Sequence, residues 1–270
     1  MTRKTSDPSM MGASRFPRSP LDYYPTLPPP IIAFLRRFEE RFGREALFVP
    51  AWEPFAGNGA ISRLLAPVVD GLFSTDIRAY DGFDPDGLFD FFAIVEDEDY
   101  PARLKAWPRE KREGLAKAAA AREAWLRART KAEEAGEKFT AKEPPPFSRT
   151  TPVAISTVLR YNGGVRPRLI VSNPPYGELT DEAVEQALRL LEPVGGTLAL
   201  LMRHEWNAGS GRAALTDHPA YLGRITLRFR PRWIEGSKGA PRFPYAWFMW
   251  SFAKDPATDP IELFADRPRD

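Results

Sequence analysis

Apolar positions along the chain recur with two periods. Ile31, Ile32, Leu35, Phe38 and Phe42 fall at helical spacing, which predicts a helix over 31–43 with Gly43 as its C-cap. The next runs lack that period. "EALFVPAWE" reads as a buried strand entering a glycine-rich turn, "AISRLLAPV" as a helix, and "GLFSTDIRAY" as a second strand ending at Asp76. "GLFDFFAI" is a short third element carrying Asp90. Further on, "LIVS" (169–172) and "TLALLMR" (197–203) are short and apolar throughout, as strands buried on both faces are. Between them "TDEAVEQALRLLEPVGG" predicts a helix capped by Thr180 or Asp181 and stopped by Gly195-Gly196. "TPVAISTVLRYNGG" suits either a helix or a strand. "GRITLRFRPRW" and "YAWFMWSFA" predict two long antiparallel strands joined by a Gly-, Pro- and base-rich loop. Strands alternating with helices predict a doubly wound α/β sheet, edged by that final pair.

One stretch breaks the pattern. Residues 101–145 hold twelve Lys/Arg against seven Glu, many alanines and no apolar face. They predict a solvated helix or helical hairpin inserted into the domain, closed by the prolines at 144–146.

Composition narrows the rest. Two hundred and seventy residues, 43% of them apolar, can bury a full core, and no run approaches the length of a membrane span. Residues 1–20 carry Arg3, Lys4, Arg15 and Arg18 against Asp7 and lack the apolar core of a secretory signal; they read as a disordered basic arm. Cysteine is absent, which excludes disulfides, thiolate zinc sites and cysteine nucleophiles and fits a cytoplasmic location. Two histidines, His204 and His218, argue against a His-rich metal site, and no metal is expected. The net charge of +2 is no nucleic-acid signature in itself.

Two motifs carry chemistry. In "EPFAGNGAIS" (53–62), Gly57 and Gly59 sit between a strand and a helix, where a missing Cβ permits a tight turn and lets a ligand approach the amides. Asp76 follows at a strand end, where a carboxylate suits a ribose diol. Position 62 is Ser, so the third glycine of a dinucleotide fingerprint is missing, and a ligand with ribose but no pyrophosphate fits better. The second motif is Asn173-Pro174-Pro175-Tyr176, which ends the strand at 169–172. Two prolines cannot continue a central strand, and they fix the chain rigidly. The Asn173 amide oxygen and the Pro174 carbonyl are placed to accept hydrogen bonds from one NH₂ group, and the Tyr176 ring to stack on a planar heterocycle.

"EPFAGNG" followed by "SNPPY" resembles the class I S-adenosylmethionine-dependent DNA amino-methyltransferases, specifically the adenine-N6 group, in motifs and their order over residues 22–253. "DYYPT" (22–26) resembles that family's segment over the methionine end of the cofactor, and "FDFF" (89–92) the segment whose acid bonds the cofactor's adenine. "RFPYAWFMW" resembles the aromatic hairpin of phage-type members. The resemblance implies a Rossmann-like, mostly parallel seven-stranded sheet with a terminal antiparallel hairpin, spanning 21–270 with the insert at about 101–147 as a target-recognition or DNA-contact element. It implies S-adenosylmethionine as cofactor. Glu53, Phe55, Gly57 and Gly59 would shape its loop, Asp76 take the ribose, Asp90 and Phe91 the adenine, and Tyr24 and Thr26 the methionine end. Asn173, Pro174, Pro175 and Tyr176 would form the catalytic corner.

The adenine amino group is a poor nucleophile because its lone pair is delocalised into the ring. Acceptors on both hydrogens favour a tetrahedral nitrogen, and positioning does most of the remaining work. A base inside a duplex cannot reach such a corner, so flipping is implied, with Phe243 or Tyr245 on the second face. Arg228, Arg230, Arg232, Lys238, Arg242 and the insert's bases are the candidate DNA contacts, and Arg203 and His204 stand at another strand's carboxyl end. RNA adenine and a protein glutamine amide are alternative substrates, and a non-catalytic nucleic-acid binder is the third reading.

Overall fold

The computed structural model describes residues 26–141, 143–144, 149–233, 243–255 and 258–268, and for Glu178 the backbone alone. The basic arm, Tyr24, Lys238 and Arg242 lie outside the described residues.

The strands are β1 (Ala51–Glu53), β2 (Leu72–Asp76), β3 (Gly87–Leu88), β4 (Ile94–Val95), β5 (Val153–Ala154), β6 (Leu169–Ser172), β7 (Thr197–Arg203), β8 (Tyr221–Leu227), β9 (Tyr245–Ser251) and β10 (Ile261–Ala265). Eight of them make one mixed sheet in the order β10-β8-β9-β7-β6-β1-β2-β3, while β4 and β5 pair separately. All neighbours in the sheet are parallel except β9, which runs antiparallel to β7 and to β8.

Two apolar layers explain the unbroken strand runs. Trp52, Ile170, Leu198, Leu200, Phe248 and Trp250 face one layer. Their alternate neighbours Ala51, Leu169, Val171, Ala199, Leu201, Trp247 and Met249 face the other. Strands β6, β7 and β9 therefore have no polar side to show. Helix α1 (Pro28–Phe42) and α2 (Ala60–Leu65) cover the second layer; α4 (Ile155–Leu159) and α5 (Glu178–Leu191) cover the first. Phe34 stacks on Trp247 at 4.5 Å, and Trp247 Nε1 donates to the Pro30 carbonyl at 3.0 Å, so α1 is pinned to the antiparallel strand.

The sheet departs from expectation in three places. It has eight strands rather than seven, because Ile261–Ala265 adds an edge beyond β8. The antiparallel pair β8–β9 is therefore not the outermost edge, since β10 lies beyond β8. The short element "GLFDFFAI" is divided among β3, the one-turn helix Phe91–Ala93 and the start of β4, and Asp90 caps that helix by accepting from Phe92 N at 3.1 Å.

The helix expected over 31–43 is present, and Gly43 ends it with φ 85°. Helix α5 starts earlier than its predicted caps. Gly177 precedes it with φ 93°, Thr180 Oγ1 donates to the Pro175 carbonyl at 2.9 Å, and Asp181 accepts from Trp206 and Arg212 at 2.7 and 2.8 Å. Thr180 thus braces the proline corner instead of capping the helix. "TPVAISTVLRYNGG" divides into β5 and α4. The insert is a single 35-residue helix, α3 (Tyr100–Glu134), with Pro108 inside it and no buried residue. At 1.5 Å per residue it is about 52 Å long. The chain returns along it: Trp125 Nε1 donates to the Ala141 carbonyl at 2.8 Å, and Arg122 pairs with Glu143 at 2.8 Å. Among the described residues no helix is long and apolar enough to cross a membrane.

Candidate active site

The strand order reverses between β1 and β6, and ligand crevices in open α/β sheets form at the carboxyl ends of strands at such a point. Glu53 ends β1 and Ser172 ends β6, so the glycine turn and the proline corner stand on opposite sides of this switch. A cleft of about 1090 Å³, counting its open mouth, joins them. Thr26, Glu53, Phe55, Gly57, Asp76, Asp90, Phe91, Asn173, Pro174 and Pro175 all line it. Of the other expected cofactor residues, Gly59 sits just behind the turn.

The turn is built on a carboxylate. Gly57 N donates to Asp76 Oδ2 at 2.8 Å, and Ile77 N donates to Oδ1 at 2.7 Å. Arg78 N approaches Oδ1 as well, at 3.5 Å, while a carboxylate oxygen such as Oδ2 can accept a second hydrogen bond from a ligand hydroxyl. Burial raises the Asp76 carboxyl above its ordinary value, and these amides oppose the rise. Gly57 and Gly59 both take positive φ, 53° and 74°. A Cβ on Gly59 would meet the Phe83 ring at 2.2 Å, so the loop after β2 folds directly onto the turn.

Glu53 is fully buried and hydrogen-bonded to the Ser62 hydroxyl. That contact occupies position 62, where a dinucleotide fingerprint would have its third glycine. Desolvation pushes the Glu53 carboxyl well above the usual range, against the lowering pull of Ser62. A carboxyl with a raised folded-state pKa contributes stability below its unfolded value near 4.5 and loses it as pH rises through the folded value. Glu53→Gln is therefore expected to raise the melting temperature at pH 8 and to leave it nearly unchanged at pH 4. Thermal melts at both pH values test this, and an equal or lower melting temperature for the variant at pH 8 contradicts it.

Asn173 is half-buried at the cleft wall, and its Oδ1 accepts from the Tyr176 hydroxyl at 2.6 Å. The Tyr176 ring does not line the cleft. It packs edge-on against Trp233 and Tyr245 at 6.2 and 6.0 Å, while Trp233 and Tyr245 meet at 4.9 Å. In this arrangement Tyr176 contributes its hydroxyl to Asn173 rather than an open stacking face. Burial raises the Tyr176 and Tyr245 hydroxyls, which stay protonated donors near neutrality. Tyr245 is buried, and Phe243 lies beneath the Arg203 guanidinium at 4.0 Å. Arg228 and Arg230 are exposed and Arg232 half-buried on the segment leading to Trp233, with Arg228 beside Asp266 at 3.7 Å. His204 follows the end of β7; its N donates to the Pro244 carbonyl at 3.1 Å and its carbonyl accepts from Arg224 at 3.2 Å. His218 Nδ1 accepts from Ala220 N at 3.1 Å and holds a turn.

Sequence reasoning missed several cleft residues. Asn58 was hidden inside a motif read for its glycines. Ile77 and Leu179 are apolar yet 49% and 40% exposed, and both line the cleft; only the strand-end position of Ile77 hinted at this. Tyr80, Phe92 and Arg149 also line it, and Trp233 completes the aromatic group beside Asn173. No local pattern marks Arg149 or Trp233.

No protein-family model matches the chain, and no curated protein matches it. Solved structures do. One is a putative class I S-adenosylmethionine-dependent methyltransferase from Listeria monocytogenes, at 12% identity and a TM-score of 0.40, over 89% of this chain and 65% of that one. A second is a modification subunit of a putative type I restriction enzyme from Vibrio vulnificus, at 11% identity and a TM-score of 0.38, over 85% and 45%. A third is the T. thermophilus 16S rRNA N2 G1207 methyltransferase bound to AdoMet and guanosine, at 14% identity and a TM-score of 0.32, over 83% and 43%. The chain thus spans less than two thirds of the length of each of these three structures. Likenesses this distant carry no functional weight, which falls on the geometry of the cleft.

Proposed function

We propose that this protein transfers a methyl group from S-adenosylmethionine to the exocyclic N6 amino group of adenine in DNA. The observation that carries the reading is the single cleft in which Asn173 and Pro174 stand across from the Gly57 turn and Asp76.

The cleft's chemistry fits the cofactor. Glu53, Asp76 and Asp90 line it, a set suited to a ligand bearing a sulfonium, an ammonium and a ribose diol. Ile77, Phe92 and Leu179 supply apolar walls for a heterocycle, with Asp90 as acceptor for its amino group. Phe91 and Phe55 pack edge-to-face at 5.1 Å and hold the wall rigid. Thr26 and Tyr24 are assigned to the methionine end.

When bound, the cofactor supplies an electrophilic methyl group. Asn173 Oδ1, which accepts from the Tyr176 hydroxyl, is assigned as an acceptor for the target NH₂ as well, since an amide oxygen carries two lone pairs. The Pro174 carbonyl takes the second hydrogen, and Pro175 stiffens the corner. Accepting both hydrogens localises the nitrogen lone pair. Positioning and electrostatics would then provide the catalysis: the N–CH₃ bond forms as the S–CH₃ bond breaks, S-adenosylhomocysteine leaves, and the proton released from nitrogen passes to water without a dedicated general base.

The adenine enters by flipping, and Trp233, Phe243 and Tyr245 offer the aromatic surface beside the corner. Arg230, Arg232, Lys238 and Arg242 are assigned to DNA phosphates. So is α3, with ten Lys/Arg against five Glu on an exposed rod.

The test is incubation with methyl-labelled S-adenosylmethionine and duplex DNA, single-stranded DNA, RNA or a glutamine-bearing protein acceptor, followed by nucleoside and amino-acid analysis. Labelled N6-methyladenine from DNA is the expected product. Label confined to RNA or to glutamine replaces the substrate assignment, and cofactor binding without transfer to any acceptor ends the enzymatic one.

A further inference from the structure

The chain returns from the α3 insertion at Arg149 and Thr150, and both touch the cleft's machinery. Arg149 lines the cleft together with Asp90, Phe92, Pro175 and Leu179. Its guanidinium is tied to Glu182 of α5, with one N–H···O contact at 2.7 Å. Thr150 Oγ1 donates to Asp90 Oδ2 at 3.0 Å, while Asp90 Oδ1 takes Phe92 N at 3.1 Å. Asp90 is therefore held at both oxygens, and a carboxylate oxygen held by one donor can accept a second hydrogen bond from a ligand.

These contacts differ in kind from the rest of the insertion. Helix α3 buries nothing, and its return segment leans on α3 through Trp125 and Arg122. At Arg149–Thr150, just past the insertion and just before β5 pairs with β4, the returning chain bonds to Asp90 and to Glu182.

Resting on the cofactor reading above, we propose that Arg149 and Thr150 form a clasp over the heterocycle end of the cleft. Thr150 is a positioning residue that aims Asp90 at the cofactor's amino group. Arg149, anchored by Glu182, covers the opening beside Leu179 and contacts the adenine ring. The chain returning from the insertion thereby completes the cofactor site, apart from any contact the insertion itself makes with nucleic acid.

The experiment measures the affinities of S-adenosylhomocysteine and of adenosine alone by calorimetry, on the full chain. Arg149→Ala is expected to weaken both by about tenfold, and Thr150→Val by about three- to tenfold. The two ligands should lose affinity by the same factor, because the clasp touches only the part they share. Thr150→Ser keeps the hydroxyl and should bind as the wild type does, which a loss of packing alone would not predict. Should Thr150→Val fail to fold, Arg149→Ala and Thr150→Ser carry the test. Unchanged affinities in Arg149→Ala and Thr150→Val overturn the clasp alone. So does weakened S-adenosylhomocysteine binding with adenosine unaffected. A wild-type protein that binds neither ligand overturns the cofactor reading and the clasp with it.

Discussion

Asn173→Ala is expected to lower methyl transfer by about 10²–10³-fold at saturating cofactor and DNA, with cofactor affinity within about threefold of wild type. The size follows from what the amide does. It accepts a hydrogen bond from an amino group that becomes a stronger donor as positive charge develops on its nitrogen during attack on the methyl group, so the interaction strengthens toward the transition state. Alanine removes it and leaves the Pro174 carbonyl as the lone acceptor. It also strips the Tyr176 hydroxyl of its 2.6 Å partner. Tyr176→Phe serves as the control: it removes the same hydroxyl–amide bond but keeps the catalytic oxygen, so its loss should be far smaller. Single-turnover transfer measured beside S-adenosylhomocysteine calorimetry separates chemistry from binding. Transfer by Asn173→Ala at the wild-type rate would remove the corner from the mechanism, whereas parallel loss of transfer and cofactor binding would make Asn173 a structural residue.

What the sequence disclosed follows from how locally each feature is determined. Strands β1, β6 and β7 are buried on both faces, so their residues are apolar without interruption and stand out. The glycine turn and the proline corner need special backbone at fixed positions, and only a few residue types provide it. The position of Asp76 was legible because it ends the strand that follows the glycine turn, and Gly57 N bonds its carboxylate. Strand β10 was not legible. Its residues alternate half-exposed and exposed until Ala265, as suits an edge strand that packs weakly, and its pairing with β8 is a long-range fact. The cleft contacts of Arg149 and the packing of Trp233 are likewise tertiary: Arg149 meets Glu182 33 residues away, and Trp233 reaches Tyr176 across the sheet's end. The bounds of α3 were blurred by Pro108, which ordinarily breaks a helix, and by the lack of any buried face to set a period.

Gly59→Ala is expected to destabilise the fold by about 2–4 kcal/mol and to weaken cofactor binding along with it. Two separable terms make up the cost. Gly59 is in the left-handed region, φ 74° and ψ 21°, as the residue preceding α2. An alanine there pays roughly 1–2 kcal/mol in backbone strain, less the few tenths gained by restricting the unfolded chain. The second term is contact, since the new Cβ would lie 2.2 Å from the Phe83 ring and one of them must move. Because Gly59 N bonds the Ala56 carbonyl at 2.8 Å, displacement there shifts the amide of Gly57 and its bond to Asp76. Gly71 isolates the first term: its φ is 86° and a Cβ meets nothing within 4 Å, so Gly71→Ala should show the backbone cost alone and leave cofactor binding intact. Adding Phe83→Ala to Gly59→Ala should return part of the contact cost. Denaturant melts of the four proteins test the division. Equal losses for Gly59→Ala and Gly71→Ala, with no recovery in the double variant, would show that the loop after β2 does not brace the glycine turn.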